Sequence, residues 1–193
     1  MRVKQLFDPA TSTYTYLVWD TESGEAALID PVLERAGRDA ALVRELNLKL
    51  KYTLETHVHS DHVTASGSLR QALNSIIIMH ENSRTKYADV LVKDGDFVPL
   101  GRNRITIIHT PGHTDNHICF SIPGAIFTGD SLMIGSCGRT DGHSGDSGAQ
   151  YESINNRLYA FPDDTLVYPG HDYLGNTSST IGIEKSNNPY VGK

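Results

Sequence analysis

Cysteine is scarce in this 193-residue chain, and the two present, Cys119 and Cys137, are too few for a disulfide framework. A reducing compartment, the cytoplasm, is the expectation that follows. Basic excess is missing as well. Lys and Arg number 17 against 23 Asp and Glu, a net charge of −6, so no positive field exists to gather phosphate and nucleic acid is not an expected partner. No apolar run approaches the length of a membrane span. The opening MRVKQLFDPATSTYTYLVWD has neither a signal-peptide core nor an Arg- and Ser-rich transit pattern. Repeats, linkers and low-complexity tracts are absent too. What remains is ordinary composition, 38% hydrophobic and 21% charged, as expected of one folded domain over 1–193.

The pattern along the chain predicts strands over 3–7, 14–19 and 26–29, separated by turn residues such as Asp8-Pro9 and Ser23-Gly24. Leu33, Ala36, Ala40, Val43 and Leu46 recur at helical spacing and predict an amphipathic helix over 32–48. A short strand over 52–55, a helix over 63–73 and a buried strand over 75–79 follow. After a polar patch, strands are expected over 105–109, 117–122 and 125–128, then an ordered Gly-, Ser- and Asp-rich loop over 129–148. A helix over 151–160 and a strand over 165–168 complete the reading. Strands come first, then strands mix with helices, and the order repeats after about residue 100, which suggests two mixed sheets packed together with helices outside.

The polar clusters share one placement. THVHSDHVTASG, residues 56–67, puts His57, His59, Asp61 and His62 into six positions directly after a strand. His113 in TPGHTDNH, Asp130 in FTGD and His171 in YPGHD also follow strands. Loops at strand ends on a rigid scaffold are where sites are built, and imidazole with carboxylate suits zinc or iron. Pro111-Gly112 and Gly129 let the backbone bend where such groups converge. His80, His109 and His143 read as ordinary surface side chains, and His117 reads equally as a structural or a site residue.

THVHSDH, PGHT, FTGD and YPGHD, in this order and spacing, resemble the metallo-β-lactamase superfamily across essentially the whole chain. The resemblance implies an α/β (α+β) fold, an αββα four-layer sandwich with a metal site along one edge of its two sheets. In the two-metal hydrolases of that superfamily a first metal takes the positions of His57, His59 and His113. A second takes those of Asp61, His62 and His171, and Asp130 bridges. All seven are filled here, so the ligand inventory leaves a dinuclear hydrolase open.

The run GDSLMIGSCGRTD and the later LYAFPDDTLVYPGHDYLGNTSSTIGIEKSNNP resemble the persulfide dioxygenase (sulfur dioxygenase) branch. That likeness implies an enzyme with one Fe(II) per chain on His57, His113 and Asp130, a two-histidine, one-carboxylate face with open positions. It implies oxidation of glutathione persulfide by O2 to sulfite and glutathione, in sulfide metabolism. His59, Asp61, His62, His171 and Asp172 would then orient the ligands and shape the pocket. Arg139 would clamp a substrate carboxylate or pair with Asp141 or Asp146. Tyr173 and Cys137 are the other candidates for the substrate wall. Oligomeric state stays open, with a homodimer consistent with the resemblance.

Two departures stand out. The branch segment is followed by an aromatic residue, where this chain has Gly142-His143-Ser144-Gly145-Asp146. Relatives also continue for several tens of residues beyond the position of Lys193; a truncated chain, a natural short form or a lost fusion partner such as a rhodanese domain would each fit. The rival reading is a glyoxalase II-like dinuclear hydrolase of glutathione thioesters, using a metal-bound hydroxide. Such hydrolases carry a helical C-terminal extension, for which the 22 residues after His171 leave no room. A non-catalytic metal-binding or persulfide-sensing module is the alternative from another class.

Overall fold

Strand β2 (Thr13–Trp19) is buried along almost its whole length, because it is covered on both faces. Tyr14, Tyr16 and Val18 point into one apolar cluster and Leu17 into another, the period-two alternation of a strand between two layers. The computed structural model, which describes residues 1–142 and 144–192, builds two such sheets. The expectation for His143 lies outside the described residues.

The first sheet runs in the order β1 (Arg2–Asp8), β2, β3 (Glu25–Ile29), β4 (Lys49–Leu54), β5 (Ile76–His80) and β6 (Val90–Val92). Its first two pairings are antiparallel and the rest parallel. Helices α1 (Ala36–Glu45) and α2 (Ser66–Leu73) supply the crossovers and close its outer face through Ala40, Val43 and Leu69. The second sheet places β12 (Ser179–Thr180) beside β11 (Leu166–Pro169), then β10 (Ala125–Gly129), β9 (Ile118–Ile122), β8 (Asn103–His109) and β7 (Phe97–Leu100). Only β10 and β11 pair in parallel there. Outside it lie α3 (Ser147–Glu152), a π-helical turn at Ser153–Leu158, and α4 (Ile181–Asn187), with Ile154, Leu158 and Ile181 in the outer cluster. Between the sheets, Tyr16, Ile29 and Leu54 meet Ile107, Phe120 and Phe127. Tyr16 and Phe127 approach to 5.0 Å between ring centres. The result is the expected αββα sandwich. Among the described residues, no helix is long and apolar enough to cross a membrane.

Several boundaries move for identifiable reasons. The helix expected over 32–48 is a 3-10 turn (Leu33–Arg35) followed by α1, and it stops where Asn47 takes a positive φ of 51°. The helix expected over 63–73 begins only at Ser66. The backbones of Val63 and Ala65 are already bonded to Leu33 and Pro31, and a group committed there cannot also close a helical turn. In the third helical region Asp146 caps the start, accepting the Ala149 N–H at 2.9 Å, so the helix starts four residues before the expected 151. The polar patch before 105 contains the two short strands β6 and β7, and the tail after His171 carries β12 and α4, none of which the apolar pattern indicates.

Asp8 ties β1 to the first crossover. Its buried carboxylate accepts the Thr11 N–H and hydroxyl at 3.0 and 2.7 Å and Arg35 Nε at 2.6 Å. Burial alone would raise this carboxyl, but the Thr11 and Arg35 hydrogen bonds outweigh it and hold it below the ordinary value. A depressed carboxyl contributes stability above its unfolded pKa of about 3.9, and that contribution is lost as pH falls through the lower folded value. Asp8→Asn is therefore expected to be less stable than the parent near neutrality, with the gap closing in acid. Urea midpoints at neutral pH and at about pH 3 check this; an unchanged gap would contradict it.

Candidate metal centre

Four strand ends converge at one edge of the sandwich. His57 follows β4, His113 lies between β8 and β9, Asp130 follows β10, and His171 follows β11. The two sheets touch here: the Tyr14 N–H donates to the Gly170 carbonyl at 2.8 Å and the Ile118 N–H to the Thr56 carbonyl at 2.7 Å.

Each of three imidazoles is oriented by what its Nδ1 meets. His57 Nδ1 lies 2.9 Å from Thr56 Oγ1, and the single hydroxyl proton of Thr56 goes to Asp30 at 2.8 Å. Thr56 therefore accepts from His57, which places the ring proton on Nδ1 and leaves the Nε2 lone pair free. His113 Nδ1 donates to the Arg139 carbonyl at 2.7 Å and His171 Nδ1 to the Ser12 carbonyl at 3.2 Å, with the same consequence. Burial, followed by the neighbouring imidazoles, pushes His57 well below the ordinary histidine value, so it is neutral, as a ligand must be.

The free nitrogens face Asp130. His57 Nε2 lies 4.0 Å and His113 Nε2 3.6 Å from Asp130 Oδ2, and His171 Nε2 lies 3.6 Å from Oδ1. These separations are too long for hydrogen bonds. For His57 and His113 they match donors that share one ion with Oδ2, each about 2.0–2.2 Å from it, whereas His171 meets the other oxygen of the carboxylate. Asp130 Oδ1 is buried without a hydrogen-bond partner among the described residues. Glycines keep the space clear: a Cβ at Gly170 would lie 2.8 Å from Asp130 Oδ1, and one at Gly138 would lie 2.2 Å from the Asp130 carbonyl oxygen and 3.0 Å from His113 Nδ1. An unpaired buried carboxylate oxygen, two imidazoles with Nε2 free and a cradle that admits no side chain fit a metal ion on His57, His113 and Asp130.

His59 behaves differently. Its Nε2 is 3.1 Å from Asp30 and 3.3 Å from Glu55. Burial by itself would lower this histidine, but Asp30 and Glu55 raise it well above the ordinary value. His62 Nδ1 pairs with Asp61 at 2.8 Å, and Asp61 lies 3.6 Å from His171. Burial would raise the Asp61 carboxyl, yet His62 and its neighbouring imidazoles hold it well below the usual carboxylate range.

His117, legible in sequence as either structural or functional, is fully buried. It donates to Thr110 Oγ1 at 2.9 Å and accepts the Asp130 N–H at 3.1 Å. Burial, then His113, pushes it down to about 3. It braces the Asp130 backbone. Asp172 organises its own loop by accepting the Leu174 and Asn176 N–H groups at 2.9 and 2.7 Å. Tyr173 is largely exposed and lies parallel to the His171 ring at 6.1 Å. Arg139 pairs with Asp141 at 3.6 Å, whereas Asp146 is spent on the α3 cap. Cys137 packs against the outer apolar cluster, and burial raises its thiol.

Sequence reasoning missed Asp30, Glu55, Thr56 and Gln150. The signal for Asp30 was a carboxylate ending the apolar strand AALID. Gln150 Nε2 holds the Ser131 and Gly138 carbonyls at 3.2 and 2.9 Å, and nothing in its local sequence marks it. Two clefts flank the site. One of about 590 Å³ is lined by His113, Arg139, Arg84, Asp115 and Asn116, and another of about 530 Å³ by His57, His59, Met79 and Tyr87.

The family model described as Metallo-beta-lactamase superfamily matches residues 8–171. The chain is 43% identical to the mitochondrial persulfide dioxygenase ETHE1 of Homo sapiens over 189 residues, 97% of this chain and 74% of that protein. It superposes on the crystal structure of ETHE1 from Myxococcus xanthus with a TM-score of 0.96 at 45% identity, covering 99% of this chain and 84% of that one. The hydroxyacylglutathione hydrolase of Rhizobium meliloti (strain 1021) is 35% identical over 187 residues, 94% of this chain and 71% of that protein.

Thr56→Val keeps the side-chain shape and removes the acceptor that fixes His57. Partners of this kind are worth about 10- to 100-fold in metal affinity, and a loss of that size is expected on titrating the metal-free variant with Fe(II). Parental affinity would disprove the tautomer argument.

Proposed function

The chain belongs to the metallo-β-lactamase superfamily, and from that premise we propose that it is an iron-dependent persulfide dioxygenase that converts glutathione persulfide and O2 to glutathione and sulfite. The observation that carries this reading is the cluster of His57, His113 and Asp130, in which two free imidazole nitrogens face one carboxylate oxygen. His57 and His113 present free Nε2 atoms to Asp130, while His59 turns its Nε2 to Asp30 and Glu55. A metal held by His57, His113 and Asp130 alone keeps coordination positions open for two small molecules, and in this reading His171, whose Nε2 also faces Asp130 at 3.6 Å, lines the pocket. The greater identity to the persulfide dioxygenase than to the hydroxyacylglutathione hydrolase supports the same choice.

Bound Fe(II) on His57, His113 and Asp130 would supply the redox capacity toward O2 that a zinc ion lacks. The chain's own groups then position and exclude. Asp30 and Thr56 hold His57 in its ligand tautomer, the Arg139 carbonyl does the same for His113, and His117 fixes the Asp130 backbone. Holding persulfide and O2 side by side replaces a chance encounter with an oriented one. The S–S bond breaks, and the four-electron oxidation of the outer sulfur balances the four-electron reduction of O2. With one water, the products are thiol, sulfite and two protons.

In this reading His59, Asp61, His62, His171 and Asp172 shape the pocket wall. The Arg139 guanidinium, mostly exposed and loosely paired, takes a substrate carboxylate, with Tyr173 and Cys137 beside the substrate path. One iron per chain, a homodimer and a cytoplasmic setting complete the proposal. Two free thiols support the reducing compartment, although the human relative is mitochondrial by name.

Oxygen uptake by anaerobically purified, iron-loaded protein given glutathione persulfide tests the proposal, with metal content assayed on the same sample. Uptake with sulfite formed and about one iron per chain is expected. Two metals bound, with hydrolysis of a glutathione thioester and no uptake, would move the protein to the hydrolase reading. Asp130→Ala and His57→Ala are expected to lose iron, whereas His62→Ala retains it with altered turnover. An Asp130→Ala protein with full iron and normal activity would sink the ligand assignment.

A further inference from the structure

The wall of the larger site cleft carries an ion pair that the metal centre does not use. Arg84 Nη2 lies 3.4 Å from Asp115 Oδ2, and the Arg84 side chain is 84% exposed. Arg84 adopts φ 53°, a left-handed conformation that non-glycine residues take reluctantly and that recurs at ligand clamps. It lies directly after the 3-10 turn Glu81–Ser83.

Asp115 and the turn that precedes Arg84 are braced from behind. The Asp115 carbonyl accepts from Asn82 Nδ2 at 3.2 Å and His109 Nε2 at 3.0 Å, and its N–H donates to Ser144 Oγ at 3.2 Å. Asp115 Oδ1 accepts from Asn116 Nδ2 at 3.1 Å. His80 accepts the Asn82 N–H at 3.2 Å, and its ring stacks on His109 at 4.1 Å. The two histidines read as surface residues in the sequence are therefore the support of this wall. A weak surface ion pair needs no such scaffold.

We infer that Arg84 and Asp115 receive the α-amino-acid end of the thiol carrier, carboxylate on Arg84 and ammonium on Asp115. This rests on the dioxygenase reading only for the identity of the carrier. A zwitterionic end exchanges charge for charge with a loose ion pair, and the guanidinium fork has donors to spare for a carboxylate. Arg139, in the same cleft, takes the second carboxylate of a glutathione-like peptide. Two guanidinium groups and one carboxylate thus match two carboxylates and one ammonium. A three-residue peptide spans about 10 Å, and the thiol of its central cysteine then faces His113 on the same cleft wall.

Calorimetric binding of glutathione and of cysteinylglycine, which lacks the γ-glutamyl end, tests the pair without turnover. The parent, Arg84→Gln, Asp115→Asn and the distant control Arg102→Gln are compared. Loss of a charge-assisted contact is expected to weaken glutathione about 10-fold or more in Arg84→Gln and Asp115→Asn, with cysteinylglycine unaffected by either. Overturning results are equal losses for both peptides, glutathione affinity in Arg84→Gln matching that of Arg102→Gln, or no binding of glutathione to the parent. Binding with this selectivity in a protein that consumes no oxygen would leave the subsite standing and remove the dioxygenase reading instead.

Discussion

One buried carboxylate, that of Asp30, holds the metal centre together. Its oxygens accept the Thr56 N–H and hydroxyl at 2.7 and 2.8 Å and face His59 Nε2 at 3.1 Å. Asp30 itself sits at φ 49°, at the turn that ends β3. Through Thr56 it sets the tautomer of His57, and directly it fixes the His59 ring by its Nε2. Burial alone would raise the Asp30 carboxyl, but the charge and hydrogen bond of His59 hold it below the ordinary value. A buried carboxylate is tolerable when its oxygens are paired in this way. Without it neither the His57 ring nor the His59 ring would be held in its orientation.

A second constraint is lateral. The loop after β10 carries Asp130, Gly138 and Arg139, and it is held by groups far along the chain. Gln150 binds two of its carbonyls, Glu184 accepts the Gly135 N–H at 2.9 Å, and Asn188 reaches the Ser136 carbonyl at 3.0 Å. The α3 and α4 regions thus have a site-building role as well as a covering one. Loops fixed at several points keep ligand geometry within the narrow tolerance that metal binding requires.

The polar surroundings do two kinds of work. Fully buried groups such as His117 and Thr56 set orientation and stay neutral or hydrogen-bonded. Exposed or half-exposed groups such as Arg84, Arg139 and Asp115 line the cleft, where water, and in the proposed subsite a substrate, can displace their partners. Burial separates the two, since a desolvated group cannot exchange partners cheaply and a solvated one can.

Much was legible in the sequence because it is written locally. Apolar alternation in YTYLVW and the run SIIIM marked buried strands, and HVHSDH, PGH, FTGD and YPGHD marked the strand-end loops that meet at the metal centre. Element ends were less legible: the helix expected from 63 starts at Ser66 because Val63 and Ala65 bond to Leu33 and Pro31, thirty residues away in the chain. β6, β7 and β12 are short edge-side strands whose pairing partners, not their composition, make them strands. The sequence by itself determined the layers and marked the candidate donor residues, since periodicity and residue type are local properties. Tertiary structure alone decided which histidine offers its lone pair and which is turned to Asp30 and Glu55, and that His80 and His109 brace a cleft wall. Those roles depend on hydrogen bonds between distant segments, and no local pattern encodes them.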